Sequence, residues 1–129
     1  MTIELVMLAS SIVLGLAQIL LAAHFKTKER GFRWNLGPRD EPEKPLGLIA
    51  GRLERARENF LETFPLFATA VLIAAIVGRH NWLTQSGAVF YFAGRVVYVP
   101  LYAWGIPVVR SLVWVAATLG IVLVLIGLI

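Results

Sequence analysis

An all-α bundle of four membrane-spanning helices is the fold class this sequence predicts, and three observations predict it. The 129-residue chain is 58% hydrophobic and 16% charged, with a mean hydropathy of +0.75, far more apolar than soluble domains run. Four apolar stretches recur along it, and at roughly 20 residues per crossing they would occupy about 80 residues. That leaves room for a single membrane domain over residues 1–129. The charges are also unevenly placed: nine of the twelve Lys and Arg residues and six of the eight acids fall between Lys26 and Glu58. A formal net charge of +4 gathered beside apolar segments points to a membrane surface and away from nucleic acid. With no cysteine, the chain has no disulfide, no thiolate metal site and no thiol nucleophile of its own.

The first helix is read over residues 3–25, an apolar run interrupted by Glu4, Gln18, His24 and small serines and long enough to span a bilayer. Glu4 stands where a signal peptide carries positive charge, and the run is too long for one, so this helix is expected to stay in the mature protein. Residues 26–45 follow as a polar loop whose Gly31, Gly37, Pro38, Pro42 and Pro45 favour turns and extended chain. Its Asp40, Glu41 and Glu43 read as a solvated cluster. The second helix, residues 46–77, would reach about 48 Å, so its charged first turns are expected to project beyond the lipid. Pro65 cannot donate to the Leu61 carbonyl and predicts a kink. The third helix, residues 84–105, carries Arg95 and is interrupted by Pro100; Pro107 opens the fourth, residues 107–129, which holds no charge after Ser111.

Orientation follows from the bias of basic residues toward the cytoplasm. The first loop and its flank hold nine, the second turn only Arg79 and the N-terminus none. The first loop is therefore expected to be cytoplasmic, with both termini outside and the connection near Arg110 inside.

Two polar stripes stand out. Arg52, Arg55, Asn59 and Glu62 recur at spacings of three, four and three, which keeps them on one face of the second helix. Tyr91, Arg95, Tyr98 and Tyr102 do the same on the third. The topology brings residues 55–62, 98–102 and Arg110 to one level near the inner membrane face. Arg95 lies deeper, where a guanidinium must face protein, and Glu62 is its expected partner. Forked arginine donors, an amide, a carboxylate and tyrosine hydroxyls suit a peptide-like anion, and an electropositive site would also promote ionisation of a bound thiol. The same residues could equally be interhelical glue. Trp82, Trp104 and Trp114 read as an interfacial belt, and His24 and His80 as interfacial residues without metal-ligand spacing.

Residues Arg55 to Glu62 read R-A-x-x-N-x-x-E, followed by Thr63-Phe64-Pro65-Leu66-Phe67. This resembles the signature of the MAPEG family, the membrane-associated proteins in eicosanoid and glutathione metabolism. The resemblance extends to Arg52, to the pattern R-x-x-Y-x-x-x-Y of Arg95, Tyr98 and Tyr102, and across the whole layout of the chain. It implies a homotrimer with glutathione as co-substrate, bound between subunits near the cytoplasmic face. Arg55, Asn59, Glu62, Arg95 and Tyr98, with Arg52 and Tyr102, look like the glutathione-binding set. Arg110 is similar to the arginine that stabilises the glutathione thiolate in family members, and Ser111 follows it as in some relatives; Tyr98 is the other candidate for that role. Arg30, Arg33 and Arg39 offer no unambiguous counterpart of a loop arginine that some relatives use. The short chain looks like a bacterial member, which implies an inner-membrane location.

Three functions compete at this point. The first is a membrane-bound glutathione transferase or peroxidase acting on lipophilic electrophiles or hydroperoxides; it uses membrane lipid as its surroundings and needs no metal. The second is a non-catalytic binding or scaffold protein of the same fold. The third is a small proton-coupled exporter built around a membrane carboxylate.

Overall fold

The computed structural model describes residues 1–38 and 45–129. Five helices follow in order: α1 (Ile3–Arg30), α2 (Phe32–Leu36), α3 (Leu48–Val77), α4 (Trp82–Ala103) and α5 (Pro107–Gly127), with no strand among the described residues. The expected loop over residues 26–45 is thus partly helical. Lys26 to Arg30 hold no breaker and prolong α1 by more than a turn, with Lys28 and Arg30 favourably placed at its negative end. Gly31, at φ 93°, ends it, and the breaker-free stretch before Gly37 folds as α2. Asp40, Glu41 and Glu43 lie outside the described residues.

The two internal prolines do not end their helices: α3 runs unbroken through Pro65 and α4 through Pro100 as far as Ala103, two residues short of the expected end. The start of α4 is two residues earlier than its apolar pattern predicts. Asn81 supplies the reason, because its side chain accepts from Leu83 N–H and Thr84 N–H while Thr84 Oγ1 accepts from Asn81 N–H, a reciprocal capping box.

Three helices, α1, α3 and α5, are long and apolar enough to cross a membrane. At 22 residues α4 is long enough too, but Gln85, Arg95 and three tyrosines dilute its apolar content. Packing differs from that of a soluble globule: alongside an apolar core around Phe60, Phe67 and Val71, Glu4, Ser11, Gln18, Thr63, Thr84 and Arg95 are buried, while large aliphatic residues such as Val13, Leu20, Leu66 and Ile76 face outward. A chain solvated by lipid gains nothing by hiding leucine and much by hiding polar groups. With an apolar surround, close packing carries the association of helices. The α4–α5 pair is the most extensively packed, and a Cβ on Gly87 would stand 2.4 Å from the Gly120 carbonyl oxygen. At the centre, Phe67 stacks on Tyr91 at 4.0 Å between ring centroids, and the Tyr91 hydroxyl meets Thr63 Oγ1 at 3.0 Å.

Candidate functional site

The α3 stripe and the C-terminal half of α4 face each other, and the first turns of α5 close the third side. Between them lies a cleft of about 480 Å³ lined by Arg55 and Asn59 from α3, Tyr98 and Tyr102 from α4, and Arg110, Ser111, Trp114 and Val115 from α5. That volume is in the range of small-molecule sites.

Tyr102 is the hub. Arg55 Nε donates to its hydroxyl at 3.1 Å, and the Arg110 guanidinium carbon sits 4.6 Å from its ring centroid. Two guanidinium groups therefore converge on one tyrosine, with the Tyr98 ring 5.5 Å away. Local sequence explains the convergence. Gly105, at φ 72°, and Pro107 turn the chain sharply from α4 into α5, so Arg110 comes back beside Tyr102 only eight residues later in sequence. A side chain at Gly105 would collide with Arg52, whose guanidinium carbon lies 2.7 Å from where its Cβ would be.

Arg52 itself is turned away from the cleft. Its Nη1 donates to the Ala103 carbonyl at 3.2 Å, satisfying an orphan acceptor at the negative end of α4. Arg95 lies behind the cleft wall, 1% exposed, with Nη1 donating to Asn59 Oδ1 at 2.8 Å and its guanidinium 4.3 Å from the Tyr98 ring centroid. The partner expected for it was Glu62, and the structure corrects this. Glu62 lies on an exposed edge of α3 and makes no ion pair or hydrogen bond among the described residues, whereas Asn59, one turn earlier, points at Arg95. The guanidinium is held by one amide and by aromatic faces, leaving Arg95 Nε and Nη2 buried without a hydrogen bond.

Of the eight residues that the resemblance assigns to the site, five line the cleft: Arg55, Asn59, Tyr98, Tyr102 and Arg110. Arg95 supports the wall, and Arg52 and Glu62 are not part of the lining. Trp114, assigned by composition to an interfacial belt, is instead half-buried in the lining, with its indole N–H buried and unpartnered. It follows Arg110 by four residues and so shares its face, which was the available signal. Trp82 and Trp104 are exposed, as belt residues are.

The lining is rich in donors and poor in acceptors. Two arginines, two tyrosine hydroxyls, a serine and an indole N–H surround the space, and among the described residues no carboxylate lines it. Such a set binds an anion or a thiolate with charge-assisted hydrogen bonds.

Comparison with known proteins yields a family and no individual relative. No curated protein matches the chain. The MAPEG family model does match, over residues 7–129, nearly the whole length and all of the cleft. This membrane protein belongs to the MAPEG family.

Proposed function

We propose that the cleft binds glutathione and that the protein is a membrane-bound glutathione-dependent transferase or peroxidase. The observation that carries this reading is the convergence of Arg55 and Arg110 on Tyr102 in a cleft that no carboxylate lines among the described residues. A tripeptide with two carboxylates and a thiol supplies the acceptors that this lining lacks. Arg110, with Tyr98 and Ser111 nearby, would hold the thiolate. In a transfer reaction the thiolate sulfur forms a bond to an electrophilic carbon and the leaving group departs with the bonding pair. In peroxide reduction two glutathiones supply the two electrons and end as the disulfide, while the hydroperoxide leaves as alcohol and water. The second substrate would come from the bilayer, since the faces around the site are apolar.

The same reading makes α4 a fourth crossing, because its polar residues Tyr91, Arg95 and Tyr98 are buried and its outward Val89, Phe90, Val96 and Val97 are apolar. It also gives the exposed Glu62 a role: in a homotrimer this carboxylate faces the neighbouring subunit and takes the amino group of glutathione, which leaves no charge toward lipid. The first loop is then cytoplasmic and the cleft opens toward the compartment that supplies glutathione.

Titration of the detergent-solubilised protein with glutathione, read by thiolate absorbance, tests binding and ionisation together. Saturable binding with thiolate formation is expected, and Arg55→Ala or Glu62→Ala should weaken it about tenfold or more. Absence of binding at millimolar glutathione would remove the proposal in favour of the non-catalytic scaffold.

A further inference from the structure

At the end of the bundle opposite the cleft stands a second ionisable group, in the first turn of α1. Glu4 is 1% exposed, a carboxylate hidden in a helix whose outward faces are apolar. The register of the parallel helices α1 and α4 puts it beside Thr84, fourteen residues before Tyr98 and thus about 21 Å from the cleft. A buried ionisable group at the end of a membrane-spanning helix that takes no part in the main site is itself a functional candidate.

Its hydrogen bonds accommodate two protonation states in one geometry. Thr84 Oγ1 lies 2.6 Å from Glu4 Oε1 and 3.0 Å from the Asn81 carbonyl oxygen, and it accepts from Asn81 N–H at 3.0 Å. The hydroxyl has a single proton to give. When Glu4 is ionised, Thr84 donates to Oε1; when Glu4 carries a proton, Glu4 donates and Thr84 turns its own proton to the Asn81 carbonyl. Glu4 Oε2 is buried without a hydrogen bond and faces His80 Nδ1 at 3.6 Å, and the His80 side chain is 37% exposed. The imidazole therefore connects the hidden carboxylate to water.

Other elements around Glu4 bring no competing charge. From α4 comes Thr84, and from the end of α5 the Gly127 carbonyl, which accepts from Asn81 Nδ2 at 2.8 Å. The last residues of α3, Ile76 and Val77, are apolar. Arg79 is exposed, and among the described residues His80 is the one group that forms an ion pair with Glu4.

We propose that Glu4, Thr84 and His80 form a proton-binding latch that fastens the start of α1 to the α3–α4 turn and to α4. The latch is closed when His80 is protonated and Glu4 ionised. It is open when the imidazole is neutral. This inference is independent of what the cleft binds.

Melting of the full chain in detergent, followed by tryptophan fluorescence, tests it. At about pH 6 the native protein should melt about 2–4 °C above His80→Gln, and by about pH 8 that difference should vanish. His24 is present in both proteins, so any contribution from it cancels. Glu4→Gln should remove the same pH-dependent difference, so that adding His80→Gln to Glu4→Gln causes no further pH-dependent loss. A difference between native protein and His80→Gln that is equal at both pH values overturns the latch. If Glu4→Gln fails to fold, His80→Lys decides: a fixed cation should hold its advantage over His80→Gln at both pH values, and a His80→Lys protein that melts with His80→Gln overturns the proposal.

Discussion

The two ends of the bundle are built from similar side chains and reach opposite electrostatic outcomes. At the Glu4 end one carboxylate meets a hydroxyl and an imidazole, so the buried charge is answered from within the chain. At the cleft end Arg55 and Arg110 meet a tyrosine and, among the described residues, no lining acid, so positive charge outweighs negative in that lining. A protein in lipid has little reason to leave charge unanswered unless something else answers it. On the two proposals the first end is a fastening and the second a receptor, and variants at each end should separate along that line.

The largest effect is expected at the cleft. Arg110→Ala removes one of the two cations that converge on Tyr102 and, on the proposed mechanism, the group that holds the thiolate. Turnover of an electrophilic aryl halide with glutathione should fall about 100-fold, equivalent to about 2.7 kcal/mol of transition-state stabilisation. The melting temperature should stay put, since Arg110 makes no hydrogen bond to the protein among the described residues and sits at the mouth of the site. Unchanged turnover would break the comparison at its stronger side and pass the thiolate to Tyr98.

Next comes a stability effect at the other end. Thr84→Val keeps the volume and deletes the hydroxyl that serves both Glu4 and the Asn81 capping box. Leaving a buried carboxylate oxygen unsatisfied costs about 1–3 kcal/mol, which thermal unfolding should show as a clear drop in midpoint. Glutathione binding should be the same as in the native protein. A parallel loss of binding would mean that the two ends are one coupled system.

The sequence made these ends unequally visible. Helical periodicity exposed the cleft because its residues recur at spacings of three and four on α3 and α4, and five of the eight named residues do meet there. Periodicity says which face a residue shares but not how that face is rotated against its neighbours. Glu62 therefore looked like the partner of Arg95 when Asn59 holds that place. The Glu4 contact spans 80 residues and leaves no local pattern. Its one trace is the seven-residue repeat of Glu4, Ser11 and Gln18, all buried in α1, matched by Thr84, Tyr91 and Tyr98 in α4. The α1 extension and α2 were missed for a different reason. Glycines and prolines mark where helices stop, but they do not forbid a short helix between them.

The smallest expected effect separates charge from geometry within the cleft. Arg55→Lys keeps the positive charge but loses the Nε donor to the Tyr102 hydroxyl and the planar fork that matches a carboxylate. If the excess of positive charge were all that mattered, binding would be untouched. If the fork fixes one carboxylate of glutathione, the dissociation constant should rise about fivefold, or about 1 kcal/mol, with the thiolate absorbance at saturation unchanged. Calorimetry gives the first quantity and ultraviolet titration the second. Loss of thiolate signal in Arg55→Lys would assign the thiol to the α3 side of the cleft, and it would transfer to Arg55 the role proposed here for Arg110.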